Sequence, residues 1–250
     1  MKNFALSVVC AYLLFTLALV ASPASALTVP ERLVYDISWT GVKAATSVQE
    51  VTARGDELHI VSTTRSAPWL DSFFYLEDRA DSVMPRGAGD RLGTPKIFRQ
   101  NNTQRQRHAK RESRFDPVGL RVEVKDLLQK TTKTDVISSK TYDTLSSIYF
   151  VRSLELVPGR SVFLDIYDGR KLWIAEVRVL RREEITTPVG RFKTVVVQPL
   201  LKSKGDSPKF REMTIWLSDD VLRIPVMMTT KVKVGKLTAR LVGGSYWPKE

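Results

Sequence analysis

The chain has 250 residues, one cysteine and two histidines, and its 39 Lys and Arg outnumber 27 Asp and Glu for a net charge of +12. A chain of this length can bury a core without disulfides or a metal. One cysteine excludes a disulfide framework, and two histidines without H-E-x-x-H or C-x-x-C spacing leave no zinc pattern.

The first segment in chain order is a leader. Lys2 precedes an apolar run from Phe4 to Val20, and Ala21-Ser22-Pro23-Ala24-Ser25-Ala26 supplies an A-x-A site. This is the pattern of a secretory signal peptide cleaved after Ala26. It predicts a periplasmic chain of one β-rich domain over 27–250; the alternative is an uncleaved N-terminal anchor. Cys10 leaves with the leader, and no later stretch approaches the roughly 20 apolar residues of a spanning helix. Cleavage leaves 38 basic against 27 acidic residues, a net of +11. In the cytoplasm that charge would suggest nucleic acid, but export removes this partner. Anionic lipid, lipopolysaccharide and acidic polymers remain as partners that a positive field would concentrate.

Beyond Leu27 the pattern alternates with period two, the mark of half-buried strands. Leu33, Tyr35, Ile37 and Trp39 share one face of the first run. Leu58 and Ile60 flank His59, and Leu120, Val122 and Val124 follow the same rule. So do Val195 with Val197, and Met213, Ile215 and Leu217, although Trp216 interrupts the polar face and Glu212 opens it. Asp168-Gly169 between two such runs predicts a hairpin with a type I′ turn. Gly55-Asp56, Asp116-Pro117 with Gly119, and Ser218-Asp219-Asp220 mark other turns. The loop holding Gly87, Gly89 and Gly93 lacks G-x-G-x-x-G spacing and a following helix, so it is not read as a phosphate loop. Two segments read as helical. Trp69 to Tyr75, after Pro68, predicts a single turn packed under the sheet, and Asp143 is an N-cap for about three turns carrying Leu145, Ile148, Tyr149 and Arg152. The fold class is therefore mainly β: one strongly curved antiparallel sheet, or an open β-barrel or β-spiral, with one or two short helices.

In order along the chain, several of these segments resemble an uncharacterised family of exported bacterial proteins, the domain of unknown function numbered 3108. They are Glu31-Arg32-Leu33-Val34-Tyr35-Asp36-Ile37-Ser38-Trp39 with Gly41, Asp143 through Arg152, and Pro188-Val189-Gly190-Arg191-Phe192. Trp216-Leu217-Ser218-Asp219-Asp220, Ile224-Pro225-Val226 and Gly235-Lys236-Leu237 complete the set. The resemblance implies a periplasmic β-protein with no assigned activity. It also implies a likeness to envelope proteins built as curved sheets, lipoprotein carriers among them, and such a likeness does not establish function.

Catalytic chemistry finds little support. No serine lies in a G-x-S-x-G elbow, and His108 has no carboxylate placed to orient it. His59 reads as a strand-face residue. Asp206, Asp219 and Asp220 read as turn residues before they read as a calcium site. Asp165 and Glu176 across the hairpin are the one carboxylate pair that a hydrolase would use. No catalytic residue, metal ligand or cofactor is assigned.

The basic stretch around Arg99, Arg105, Arg107, His108, Lys110, Arg111 and Arg114 stands out. A hairpin of Lys96–Asn102 with Gln104–Phe115 would set Arg105, Arg107 and Arg111 on one face, suited to bidentate binding of phosphate or carboxylate. The competing reading is a charged edge that discourages strand pairing. Lys202, Lys204, Lys209 and Arg211 form a second basic set. Tyr35, Trp39, Trp173 and Trp216, with Phe73, Phe74 and Tyr75, would line an apolar cavity or fill a core. The expected function is a non-enzymatic envelope protein that binds an anionic amphiphile, with Arg105, Arg107 and Arg111 on the charged part and Tyr35, Trp39, Trp173 and Trp216 on the apolar part. The alternative is a partner-binding factor in envelope assembly that takes no small ligand. A hydrolase of envelope polymers is the weaker alternative.

Overall fold

Period-two alternation produces two meanders. The first runs through β1 (Glu31–Trp39), β2 (Val42–Arg54), β3 (Glu57–Ser66), β4 (Leu76–Pro85), β5 (Ile97–Gln104), β6 (Arg107–Asp116), β7 (Arg121–Asp126) and β8 (Thr131–Val136). The second runs through β9 (Thr141–Asp143), β10 (Ser161–Tyr167), β11 (Leu172–Thr187), β12 (Gly190–Ser203), β13 (Met213–Ser218), β14 (Pro225–Lys231) and β15 (Lys236–Gly244). β15 pairs with β1, so the meanders fuse into one sheet of 15 strands ordered β8 through β1, then β15 back to β9. Every neighbouring pair is antiparallel except β9 with β10. The computed structural model describes residues 27–87, 92–203 and 213–247. The leader at 1–26, Gly89, Asp206, Glu212, and Lys204, Lys209 and Arg211 of the second basic set lie outside them.

The edge strands β8 and β9 are consecutive in the chain yet stand at opposite ends of the hydrogen-bonded order. A four-residue connection can join them only if the sheet curls round, since a flat sheet would hold them many strand spacings apart. Side chains bridge the gap instead of backbone hydrogen bonds. The Tyr167 hydroxyl donates to Asp135, the Lys133 ammonium donates to the Arg170 carbonyl, and Tyr167 packs with Val122, Val124 and Ile137. The protein is thus mainly β, a barrel-like sheet that stays open.

Antiparallel pairing also sorts the connections by end. The β1–β2, β5–β6, β7–β8, β10–β11 and β14–β15 turns lie at one end of the strands, together with the helix between β3 and β4. The β10–β11 turn departs from the expected type I′ form. Only Gly169 has positive φ, at 81°, and the loop spans four residues, Asp168 to Lys171. The Asp168 carboxylate explains this, because it accepts the backbone N–H groups of Arg170 and Lys171 and closes a wider loop than two residues allow. β7 begins at Arg121, one residue late, because Leu120 takes positive φ in the turn.

Both helices differ from their expected form. α1 (Pro68–Phe74) follows a proline in its first turn as expected, but none of its residues is buried, and Trp69 and Phe73 face solvent at the turn end instead of packing under the sheet. α2 (Ser146–Arg152) starts later than expected, with Leu145 and not Asp143 at the N-cap position, and has seven residues, two turns and not three. Serine at 153 ends it, its N–H bonding back into the helix. α2 is the inner element of the molecule. Leu145 and Tyr149 pack against Leu58, Ile60, Met84 and Phe98 of the first meander, while Val151 packs against Val177, Val195 and Leu217 of the second.

Candidate ligand cavity

Two buried polar anchors hold α2 inside the sheet. At its start the Asp143 carboxylate accepts the backbone N–H groups of Leu145 and Ser146, at 2.8 and 2.9 Å, and the hydroxyl of Ser82 on β4. Those N–H groups would otherwise be unpaired at the helix start. Asp143 is fully buried, and burial raises its carboxyl above the ordinary range against the pull of these donors. At the other end Arg152 makes a bidentate pair with Glu31 of β1, both bonds 2.7 Å, with the side chains 1% and 0% exposed. Tyr149 and Tyr246 donate to the same carboxylate, and Arg152 also donates to the Leu222 carbonyl. The guanidinium lies 4.7 Å over the Tyr149 ring. Burial alone would lower Arg152, but the Glu31 bonds and charge outweigh it and hold the guanidinium firmly protonated.

With α2 fixed in this way, its two sides meet different surroundings. Towards β3–β5 the space is filled. Towards β10–β14 a cavity of about 630 Å³ remains, with Ile148 and Val151 of α2 on one side and Leu164, Ile166, Leu201, Ile215 and Leu217 among the strand residues on the other. Alternation puts these strand residues on one face of β10, β12 and β13. The charged lining residues, Asp168, Arg170 and Lys171, all come from the β10–β11 turn, so the polar mouth opens at the turn end. Asp168 is already engaged by two backbone N–H groups and by the Trp173 indole N–H at 2.8 Å. Lys171 sits 4.2 Å over the Trp173 ring. Lys133, held at the Arg170 carbonyl, is paired with Asp135 at 2.7 Å, so the cations of the mouth are Arg170 and Lys171. An apolar interior with a cationic mouth can take a chain-like apolar group and an anionic end.

The four aromatic residues expected on the apolar part occupy separate places. Trp173 lines the cavity. Tyr35 is buried in another cluster with Leu33, Val196, Val226 and Trp216, and its hydroxyl has no hydrogen-bond partner among the described residues. Trp216 projects from the opposite side of β13 to Ile215 and Leu217, and its indole donates to Glu183. Trp39 stands at the end of β1, half-exposed, with its indole donating to the Val234 carbonyl at 2.8 Å.

The three arginines are also divided. Arg105 is a turn residue with φ of 54°, and with Arg107 it lines a second, more polar groove of about 720 Å³ beside α1. Arg107 and Arg111 share a face of β6, but Arg111 pairs with Asp126 at 3.2 Å. Asp126 is held below the usual carboxylate range by the backbone N–H of Gln129, with the Leu128 N–H and Arg111 adding to it. Of the carboxylate pair, Glu176 is on the outer face of the sheet, bonded to Arg178 and Ser161, and Asp165 shares that face. Asp219 accepts from Arg182, and Asp220 accepts from Ser218 and two backbone N–H groups. The basic pair Arg170-Lys171 after the Asp-Gly turn and the buried Glu31–Arg152 pair are the residues that sequence reasoning passed over. A basic pair in a turn looks solvated, and nothing local links residues 31 and 152.

The family model described as "Protein of unknown function (DUF3108)" matches residues 34–242. The chain belongs to this family. The match runs from within β1 to within β15, so it takes in α2, Ser82, Asp143, Arg152 and the cavity, while Glu31 lies just before it. No curated protein matches the chain. Among solved structures, it is similar to a beta-barrel-like protein of the domain of unknown function DUF1849 from Brucella abortus, at 13% identity and a TM-score of 0.58, with 86% of this chain and 96% of that one covered. That likeness supports the barrel-like fold. A protein of Bacteroides fragilis with a YmcC-like fold is more distant, at 8% identity and a TM-score of 0.32 over 86% of this chain and 95% of that one.

Proposed function

We propose that the protein is an exported, non-enzymatic component of the cell envelope whose mature chain, residues 27–250, acts as one domain and holds an anionic amphiphile. The apolar part would lie in the cavity between α2 and β10–β14, and the anionic group would meet Arg170 and Lys171 at the mouth. The observation that carries this reading is the cavity itself: about 630 Å³ of apolar space whose charged lining comes from one turn and is cationic in balance. Ligand pockets have this size and construction, an apolar lining with few polar groups at fixed positions. The leader pattern at 1–26 supports export, and cleavage after Ala26 would release the chain to the periplasm. Among the aromatic residues, Trp173 is the one placed to touch a bound chain. Arg105 and Arg107 stand at the same end of the strands as the mouth, where they would act on an approaching anion before it enters.

The test is native mass spectrometry of the protein isolated from its own envelope fraction without detergent exchange. The expected result is a bound lipid or other acyl-bearing anion on the wild type whose occupancy falls in Ile215→Phe, which narrows the cavity between α2 and β13. A chain that carries no such mass and takes up no long-chain acyl probe overturns the reading. A co-purifying protein would favour the partner-binding alternative, for which the edge strand β8 is the supporting observation. Its residues Thr131 to Thr134 are exposed, and an open edge can accept a partner's strand.

A further inference from the structure

Apart from the cavity, the turn end carries a surface that an ordinary solvated rim would not have. Four of its segments are tied to one another in a row. In the β14–β15 turn, the Val234 carbonyl accepts the Trp39 indole, and the Lys236 carbonyl accepts the Thr40 N–H of the β1–β2 turn. The Lys43 carbonyl beyond that turn accepts the Trp69 indole of α1 at 2.7 Å, and the Arg105 N–H of the β5–β6 turn bonds the Tyr75 carbonyl at the end of α1. Along this row the large apolar side chains point outward. Phe73 is 63% and Val234 70% exposed, and Val42, Trp69 and Val232 are also exposed. An apolar stripe of this kind is costly in water unless something covers it.

The charges on the same row are mostly positive, although Lys43 is paired with Asp36 at 2.7 Å. Residues 39–43, 104–107 and 231–236 read Trp-Thr-Gly-Val-Lys, Gln-Arg-Gln-Arg and Lys-Val-Lys-Val-Gly-Lys, with no acid among them. The acid within α1, Asp71, is bonded to Ser66. Cations alternating with apolar tips, and two indoles whose N–H groups are satisfied by backbone while their rings stay open, are the chemistry of the membrane–water interface. A protein partner would need a large complementary acidic and apolar surface, whereas an anionic bilayer supplies both at once.

We infer that the turn end is a docking surface for an anionic phospholipid bilayer, with Trp69, Phe73 and Val234 entering the headgroup region and Arg105, Lys233 and Lys236 facing the phosphates. Each cation near such a surface contributes through the surface potential, and the contribution falls with salt. The apolar tips contribute a part that salt does not remove. Docking in this orientation sets the cavity mouth against the lipid. It does not depend on the cavity being occupied, so failure of the amphiphile reading would leave it standing, and the reverse also holds.

The experiment is sedimentation of the mature chain with vesicles of phosphatidylcholine alone or with about one-third phosphatidylglycerol, at low and high salt. The expected result is much stronger binding to the anionic vesicles at low salt, falling at high salt to the weaker level shown by phosphatidylcholine alone. Changing Arg105, Lys233 and Lys236 to Gln should weaken binding at least about tenfold at low salt. Phe73→Ser with Val234→Ser should remove the part that survives high salt. Equal charge removal at Arg54, Lys140 and Arg160, which lie at the opposite end of the strands, should have a much smaller effect. All of these side chains are exposed, and melting curves check that each variant is folded. Absence of wild-type binding overturns the inference, as does equal loss from the two charge-removal triples. Unchanged high-salt binding in the Phe73 and Val234 variant overturns the insertion of the apolar tips.

Discussion

The two sides of α2 differ in how completely they are packed. Against the first meander, Leu58, Ile60, Met84 and Phe98 close on Leu145 and Tyr149 with almost no exposure. Against the second, Ile148 and Val151 look across about 630 Å³ at strand residues of the same apolar kind. Composition does not separate the sides; shape does. Interiors are normally packed to crystal-like density, so a void of this size costs stability and persists only because the surrounding frame is held by other means. The frame here is the Glu31–Arg152 pair, which ties α2 to β1, and the Asp143–Ser82 bond, which ties it to β4. Both anchors reach the first meander, and the second meander is left hollow.

Removing an anchor should have the largest effect. Arg152→Met leaves Glu31 buried with two tyrosine donors and no cation, and breaking one side of a buried pair costs about 3 to 5 kcal/mol. Urea unfolding of this variant should show that loss. If the variant is as stable as the wild type, the pair does not hold the frame and the contrast between the two sides needs another cause. Within the filled side, Leu58→Ala should cost about 2 to 5 kcal/mol, the usual range for a core leucine that cannot be repacked.

A test by pH follows from the tyrosines around the anchor. Burial is the chief cause that raises the Tyr35 and Tyr149 phenols above their ordinary value, so both keep their protons in the folded chain. In the unfolded chain they ionise near pH 10. Above that pH the unfolded state holds fewer protons than the folded one, and stability falls as pH rises by up to about 1.4 kcal/mol per pH unit for each tyrosine. The stability is fully present below pH 10. Tyr35→Phe removes a buried hydroxyl without a partner among the described residues, so it should flatten the alkaline slope without loss at neutral pH. An unaltered slope in denaturant titrations between about pH 9 and 11 would show that Tyr35 is not the titrating group.

The sequence made the sheet legible because alternation is a local signal. Leu58 and Ile60, or Val195 and Val197, state which residues share a face, and the turns state where strands end. It could not state which pairs of faces touch. Glu31 and Arg152 are 121 residues apart, and each looks by itself like a surface charge. Trp216 seemed to spoil a polar face, but β13 is buried on both sides, with Leu217 in one cluster and Trp216 in another. α1 misled in the opposite direction. Its aromatic residues suggested a helix packed under the sheet, yet it spans one connection at the turn end, where no element among the described residues packs over Trp69 and Phe73. The site was least legible of all, since a cavity is a failure of distant residues to meet.

The β10–β11 turn joins the two sides, and changing it gives a smaller effect. Gly169 has positive φ, and a Cβ there would meet the Gln100 amide of β5, so the mouth of the hollow side rests against the first meander. Gly169→Val imposes backbone strain of about 1 to 3 kcal/mol, partly relieved if Gln100 swings aside. A melting curve unchanged by this substitution would show that the turn does not need the glycine. Gly169→Asn, which tolerates positive φ better, should lose less.

The smallest effect on stability is expected where the comparison is most exposed to failure. Ile215→Phe adds volume on the cavity side of β13, and in a well-packed core such overpacking costs about 1 to 3 kcal/mol. If the second meander is hollow as described, the ring has space to enter without moving its neighbours, and the added apolar burial offsets what strain there is. Thermal unfolding should then change little or shift slightly upward. The matching enlargement on the filled side, Ala53→Leu, packs against the closely buried Leu58 and Ile60 cluster and should be the more costly of the two. Equal losses from both would mean that the hollow closes in solution, and with it would go the contrast between the two faces of α2.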